Sequence, residues 1–399
     1  MKNFTFIQWM VILILSLLTA LEPLSIDLYL PAFLLISETF SVSDSAVQIS
    51  LSTFLAGFAI GQLFWGPLAD RFGRKKPIII SLLIFIAASI GCIFATSIKY
   101  LWVLRFIQAI GGCGGIVISR AIVTDYFDRS KTLKIFTLLA LIMSIAPIVA
   151  PIIGSSILAG FGWKGIFAAM AFLGAAMLLL TVSFLPETHK SDKLKERVNI
   201  LRDYLNVLSN KRFTYYALIA GVANGALMVY VGNGPFLIMD YGGLSGNSFS
   251  IVFATNALGL MIASYLTAFL QKVITTQKIV RYALMMMFGA SVLLLSVMYF
   301  IPNIYIILAV LFFFIFPIGI LFPATTELAM SPFTENSGTA SALFGSIQLF
   351  IAFICTIVAN AINNDSILST GFAFFICGLF AILFIFGKVG VTSKVIYKI

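Results

Sequence analysis

Three ionisable side chains stand inside long apolar stretches of this 399-residue chain: Glu22 and Asp27 in the first stretch and Arg105 in the fourth. An acid or base at mid-bilayer costs roughly 2.5–3.5 kcal/mol on insertion scales, so such residues face a cavity or a partner. At 1.5 Å per residue, Asp27 lies about 30 Å along its helix, and Arg105 about 9 Å into a helix entering from the other side. Their depths are comparable, and an attraction between them is geometrically allowed. Held close, the guanidinium favours the carboxylate; drawn apart, it leaves the carboxyl free to take a proton. That chemistry couples a proton to a conformational change. Glu22 is a third candidate for proton handling. It lies five residues from Asp27, about 140° around a helix, so the two are expected on different faces. One would line a cavity and the other meet a neighbouring helix or water. Pro23 removes a backbone hydrogen bond and allows a bend beside Glu22. Asp27 also has a plainer role open to it, closing the helix turn before Pro31 near the outer water layer.

Helices must hold these residues, and the composition says what kind. The chain is 61% hydrophobic and only 10% charged, where a soluble domain is about 25% charged and under half apolar. A soluble enzyme is excluded. The net charge of +10 sits in short loops, where membrane topology explains it without nucleic acid or another anionic partner. A spanning helix needs about 20 apolar residues. Twelve stretches qualify, near 7–36, 46–68, 77–97, 99–120, 133–158, 163–185, 213–239, 248–270, 280–300, 303–328, 339–361 and 367–387. An even number puts both termini on one side. With that side cytoplasmic, 22 of the 25 Lys and Arg residues fall in inner segments, and the outer loops hold only Lys99 and Lys164. The positive-inside rule requires such a bias.

The polar stretch 186–212 separates two six-helix bundles, 1–185 and 213–399. It reads as a cytoplasmic linker with an amphipathic piece along the membrane. Two bundles around a cavity suit alternating access. Residues 265–281 stand in the second half where 66–76 stand in the first, with most of the charged motif lost. The first apolar run continues past Glu22 to about residue 36, so it is expected to remain a helix rather than be cleaved as a signal peptide.

Between the second and third spans lies Gly66-Pro67-Leu68-Ala69-Asp70-Arg71-Phe72-Gly73-Arg74-Lys75-Lys76-Pro77, with four cations and one acid. It is expected as a tight, water-exposed turn whose two glycines, Gly66 and Gly73, adopt conformations other residues resist. As a charged turn it anchors orientation. As a latch, Asp70 and Arg74 would close the cytoplasmic side, the carboxylate capping the N-terminus of the eleventh helix at Ser337-Gly338-Thr339.

Fewer residues offer a cargo polar contacts. Arg105, Gln108 and Gly112 share one stripe of the fourth helix, and Gly111-Gly112-Cys113-Gly114-Gly115 allows close helix packing. Pro147, Pro151 and Gly154 make a bend-prone stripe suited to the seam between bundles. Tyr29, Gln108, Asn224, Asn233, Asn256 and Gln348 are the cavity candidates. Glu327 is either a gate residue or an interfacial carboxylate. The four cysteines and single histidine, His189, give no disulfide framework and no metal site. No cofactor is expected, and a phosphate-binding loop of the G-x-x-x-x-G-K-[ST] type is absent, which argues against ATP as the energy source.

Several motifs agree on one family. The run G-x-L-A-D-R-x-G-R-K from Gly66 resembles, position for position, the loop signature of the major facilitator superfamily. Leu104-Arg105-Phe106-Ile107-Gln108-Ala109 looks like the R-x-x-Q motif of its drug:proton antiporters. Ala146-Pro147 through Pro151 to Gly154 resembles their antiporter motif, with Ser155 in place of the usual second glycine, and Phe184-Leu185-Pro186-Glu187-Thr188 their exit from helix six. Ile26-Asp27-Leu28-Tyr29-Leu30-Pro31, Gly234-Pro235-Phe236 leading to Phe253-Ala254-Thr255-Asn256-Ala257-Leu258, and Gly338-Thr339-Ala340-Ser341-Ala342-Leu343 are similar to the Bcr/CflA subfamily of drug-resistance transporters. The resemblance implies an all-α protein of twelve helices in two pseudo-symmetric bundles. It implies a bacterial inner-membrane protein that exports small organic molecules in exchange for protons; a monomer is expected. It assigns Asp27 and Arg105 as the coupling pair and Gly66, Asp70, Arg71, Gly73 and Arg74 as the latch, with Asp125 joining Arg74 in a charge relay. The same subfamily leaves open a dedicated metabolite or siderophore exporter, or an uptake permease. The extra acids, Glu22 and Glu327, point toward a cationic or iron-chelating cargo or a different proton count.

Overall fold

The computed structural model describes residues 5–188, 200–333, 337–362 and 366–385. His189, the linker cations Lys190, Lys193, Lys195 and Arg197, and the cations after residue 387 lie outside the described residues. The helices are α1 (Phe6–Asp27), α2 (Phe33–Phe40), α3 (Asp44–Phe72), α4 (Lys75–Ile93), α5 (Ile98–Tyr126), α6 (Arg129–Phe184), α7 (Ile200–Leu208), α8 (Lys211–Pro235), α9 (Gly246–Leu270), α10 (Thr276–Phe300), α11 (Ile304–Met330), α12 (Ser337–Ile362) and α13 (Ile367–Leu383). A single 3-10 turn, Leu30–Ala32, links α1 to α2, and a π-helical turn, Phe236–Tyr241, extends α8.

Among the described residues, ten helical runs are long and apolar enough to cross a membrane, and the shorter α13 adds an apolar helix. The 51-residue apolar part of α6 is about 77 Å long at 1.5 Å per residue, more than twice a hydrocarbon core. It is interrupted at Gly162, where φ is 66° and ψ −174°, so α6 makes two passes. Twelve passes result.

Helix ends inside or beside a bilayer must satisfy their free N–H groups. Thr5 and Gln8 form a capping box on α1. Ser97, Asn210, Ser245, Asn303 and Ser366 cap α5, α8, α9, α11 and α13. Each is a residue type whose side-chain oxygen reaches the N2 or N3 amide.

In the first half, α3 packs on α5, α5 on α4, α4 on α6, and α1 on α5 and α6. The second half repeats the scheme. There α9 packs on α11, α11 on α10, α10 on α13, and α8 on α11, α12 and α13. The halves meet where α3 lies against α12 and α6 against α9. The 66–76 segment marks one end of the molecule, called here the loop end; the other is the far end.

Close packing of this kind needs bare backbone. A Cβ on Gly111 would stand 2.4 Å from the Phe85 nitrogen, and one on Gly154 2.4 Å from the Leu28 carbonyl oxygen. Gly154→Val is therefore expected to push α6 off the end of α1 and destabilise the protein by about 1–3 kcal/mol. Thermal unfolding in detergent checks this, the expected result being a Tm several degrees below wild type.

Candidate functional site

The loop motif is more helical than expected. α3 runs through it to Phe72, so Gly66 is an ordinary helical residue and only Gly73 and Arg74 form the turn. Apolar Leu68 and Ala69 continue the helical pattern, and Pro67 within α3 does not end it. Gly73 has φ of 87°, a conformation L side chains resist. Arg74 lies at the centre. Its Nη1 donates to Asp70 Oδ1 at 2.5 Å and its Nε to Asp125 Oδ2 at 2.8 Å. Burial alone would lower the Arg74 pKa, but its bonds to Asp125 and Asp70 outweigh that and raise it.

Glu187, at the exit of α6, completes the loop. Its carboxylate accepts from the backbone amides of Arg74 (2.7 Å) and Lys75 (3.1 Å), capping α4 as an anion favours a helix N-terminus. Lys75 Nζ in turn donates to the Val182 carbonyl at 2.9 Å. A Cβ on Gly73 would stand 2.6 Å from Glu187 Oε2. Gly73→Ala is expected to cost about 1–2 kcal/mol in backbone strain alone, read as a lowered Tm in detergent. Arg71 reaches over the Phe72 ring, 5.3 Å from its centroid. The Asp70 side chain is 67% exposed, and among the described residues no hydrogen bond from α12 reaches it. The expected cap on the eleventh helix is not formed in this conformation.

The second half carries a similar device in which uncharged donors replace the arginine. Glu327, near the end of α11, accepts from Gln271 Nε2 and from Thr276 Oγ1 at 3.2 Å. It ties the α9–α10 turn as Asp125 ties the α3–α4 turn.

Between the halves lies a cavity of about 330 Å³. Glu22, Pro23, Ile26 and Asp27 of α1 line it on one side. Met143, Ser144 and Pro147 of α6 line a second wall, and Asn224, Met228, Tyr230, Phe253, Asn256, Met261 and Phe322 the wall from the second half. Both acids therefore face one cavity, against the expectation of different faces. Residues 22, 23, 26 and 27 cover an arc of about 140° on a helical wheel, and the cavity wraps that whole arc. Aromatic, methionine and carboxylate side chains together suit an amphipathic guest. Thioethers adapt their shape, and carboxylates favour a positive group.

The far end is sealed. Gln48 Nε2 donates to Asn233 Oδ1 at 3.3 Å, and the Ser155 and Ser250 hydroxyls lie 3.0 Å apart. The rings of Phe33 and Phe236 lie 5.8 Å apart. Deeper along the seam, Asn360 Nδ2 donates to Ser52 Oγ (3.4 Å) and Ser346 Oγ to the Ala59 carbonyl (2.9 Å). At the loop end, Tyr204 of α7 donates to the Leu63 carbonyl at 3.2 Å, and α7 also packs on α12.

Arg105 does not pair with Asp27. It is fully buried, with Nη1 donating to Gln108 Oε1 at 2.6 Å and Nη2 to the Ser25 carbonyl at 3.1 Å. Its guanidinium stacks over Tyr29 at 4.7 Å and Phe54 at 4.3 Å, an attraction between cation and ring face. The reason is the end of α1. In a continuing helix the Tyr29 amide would bond to the Ser25 carbonyl, but it bonds to the Ile26 carbonyl instead. The Ser25 oxygen is left free at a helix C-terminus, where a cation is favoured, and Arg105 takes it. Asp27, 4% exposed, has no hydrogen bond or ion pair among the described residues.

That arrangement moves two cavity candidates elsewhere. Gln108 is fully buried and spans Arg105 and the Ser89 hydroxyl, 2.7 Å from its Nε2. Tyr29 is fully buried, with its hydroxyl 2.9 Å from Ser50 Oγ. Asn233 belongs to the far-end seal, and Gln348 offers its backbone oxygen to Asn224 Nδ2 at 3.4 Å. Asn224 and Asn256 line the cavity. Pro147 lines it too, while Pro151 and Gly154 lie farther along α6. Phe253 enters the sequence reading only as part of a subfamily motif, and Tyr230 and the methionines not at all, since nothing sets them apart from the abundant apolar and aromatic residues around them. All four cysteines are free thiols.

A family model described as the Major Facilitator Superfamily matches residues 15–356. The chain belongs to that superfamily. It is similar to the MFS-type transporter YdgK of Bacillus subtilis, 33% identical over 94% of each chain. It is 28% identical to the bicyclomycin resistance protein homolog of Haemophilus influenzae, over 93% of this chain and 94% of that one. The multidrug transporter MdfA of Edwardsiella ictaluri is 29% identical over 82% of this chain and 80% of its own. Among solved structures, a D-xylose–proton symporter superposes with a TM-score of 0.78, covering 94% of this chain and 96% of that chain at 14% identity. The superfamily fold thus accounts for the twelve passes, and the protein is an integral membrane transporter.

Proposed function

We propose that this superfamily member exports small amphipathic organic molecules, drugs among them, in exchange for protons. The cavity carries the proposal: two carboxyl groups, Glu22 and Asp27, line one guest-sized space with aromatic and methionine walls, closed at the far end. The names of the relatives, a bicyclomycin resistance homolog and multidrug transporters, support drugs as cargo. In this reading the protein is a monomer in the bacterial inner membrane with both termini cytoplasmic, so the loop end faces the cytoplasm. Residues 1–185 and 213–399 rock against each other, with 186–212 as linker. Asp27 and Glu22 exchange protons with the cavity, and Arg105 positions the end of α1. Arg74 holds Asp70 and Asp125 at the loop end, ready to engage the second half when that end closes. Asn224 and Asn256 give polar contacts to the cargo, and Pro147, Pro151 and Gly154 shape α6 at the seam.

A susceptibility panel tests the cargo. Overexpression is expected to raise the inhibitory concentration of several unrelated lipophilic cations, and deletion to lower it. An unchanged panel together with loss of one secreted compound on deletion would instead mark a dedicated metabolite or siderophore exporter, which the second cavity carboxylate, Glu22, also suits.

A further inference from the structure

Asp27 and Tyr230 face the same cavity from opposite halves of the molecule, one on α1 and the other on α8. Each is incompletely bonded. Among the described residues no donor reaches the Asp27 carboxylate. Tyr230 accepts a hydrogen bond at its hydroxyl oxygen from Asn256 Nδ2 at 2.9 Å, and among the described residues no acceptor takes its own hydroxyl hydrogen. The Asn256 bond occupies one lone pair and turns the O–H away from α9, while the ring is fixed by stacking on Phe253, with centroids 5.6 Å apart and planes at 16°. Glu22, which lines the same cavity, supplies no donor when ionised. Arg105, the nearest buried cation on the sequence argument, is committed to Ser25 and Gln108. A buried carboxylate needs donors, and a phenolic O–H is a strong one.

We infer that Tyr230, oriented by Asn256, is the donor that receives the Asp27 carboxylate across the cavity once its proton has left. The inference rests on the proton-exchange reading above and adds a positioning residue to it. With Asp27 protonated, its carboxyl offers a cationic cargo no charge and the two halves are not drawn together. When the proton passes to solvent, the bare carboxylate accepts the Tyr230 hydrogen, and α1 of one half is drawn toward α8 of the other. Cargo with a positive group competes for the same carboxylate and displaces that bond. Proton and cargo are then exclusive occupants, which is what exchange requires.

The test uses the full-length protein in liposomes with tetraphenylphosphonium as the labelled probe. One assay measures probe exchange at equal pH on both sides, which needs cargo binding and movement but no proton release. The other measures accumulation driven by a pH gradient alone. Tyr230→Phe keeps the ring and its stacking, so exchange is expected to stay within about twofold of wild type, while accumulation falls about tenfold, the worth of a charge-assisted hydrogen bond. Accumulation equal to wild type overturns the inference. So does a parallel fall in both assays, which would make Tyr230 a cargo contact only. If Tyr230→Phe is not monodisperse in detergent, infrared difference spectra of wild type and Asp27→Asn across a pH step replace it: a phenol C–O band that shifts in wild type only is expected, and no shift overturns the inference. Asp27→Asn is run beside them. If it still accumulates probe, the proton-exchange reading itself fails; if it does not while Tyr230→Phe does, only the Tyr230 inference fails.

Discussion

Asp27→Asn is expected to reduce gradient-driven accumulation of cargo to the level of passive leak. The amide keeps the size of the side chain and its place on the cavity wall, but it holds no exchangeable proton. A single proton moved through 100 mV supplies about 2.3 kcal/mol, enough to hold an uncharged cargo at a concentration ratio of about fiftyfold. Without it the ratio is about one. Cargo exchange between equal solutions is expected to weaken without vanishing, because Glu22 still offers the cavity a carboxylate and α1 is held by the Arg105 bond to the Ser25 carbonyl rather than by the Asp27 side chain. Radiolabelled uptake into inverted vesicles, energised and then de-energised, measures both quantities in one preparation. Asp27→Glu, which keeps the acid, is expected to retain part of the accumulation.

Arg105→Met is the second large effect. Among the described residues the buried guanidinium has no carboxylate partner and bonds to Gln108 and to the freed carbonyl of Ser25. Removing it relieves the desolvation of a charge, but it orphans two buried acceptors at about 1–3 kcal/mol each. The stability change is thus a difference of opposed terms, and the Tm is expected to move by only a few degrees. Transport is expected to respond far more. The end of α1 carries Asp27 two residues beyond Ser25, and loss of its anchor releases the coupling residue from its place. A charge-assisted bond of about 1.5–3 kcal/mol corresponds to a tenfold to hundredfold loss of rate. Arg105→Lys is expected to rescue little, because one ammonium does not reproduce the planar fork that serves Gln108, Ser25 and two ring faces at once. Initial rates normalised to folded protein check this; a Met variant with wild-type rate contradicts the anchoring role.

Twelve passes were legible because a bilayer imposes a length on every apolar run. Their ends were less so. α3 extends to Phe72 through charged residues that read as a turn, since a helix can leave the bilayer without ending. The first span divides around Leu30–Ala32, where Pro31 breaks the regular bonding. For the site, the buried charges stood out against the apolar background, but depth along a helix says nothing of direction around it. Asp27 and Arg105 share a depth on paper and face different surroundings in the fold. The true partner of Arg105 follows from the end of α1, where the Tyr29 amide turns to the Ile26 carbonyl and leaves that of Ser25 free, a detail of bonding that residue types alone do not show. Tyr29 and Gln108 followed Arg105 into the first half, away from the cavity. Tyr230 was invisible as a cavity residue because one tyrosine among 13 carries no mark of its position until the halves are brought together.

The most direct test of proton exchange is made in energised inverted vesicles, following a pH-sensitive dye while lipophilic cations and siderophores are added one at a time. The account predicts that at least one compound releases protons from wild-type vesicles and that Asp27→Asn abolishes the release. Labelled cargo that crosses the membrane with no proton movement would contradict it, and would leave a sodium-driven or uncoupled carrier in its place.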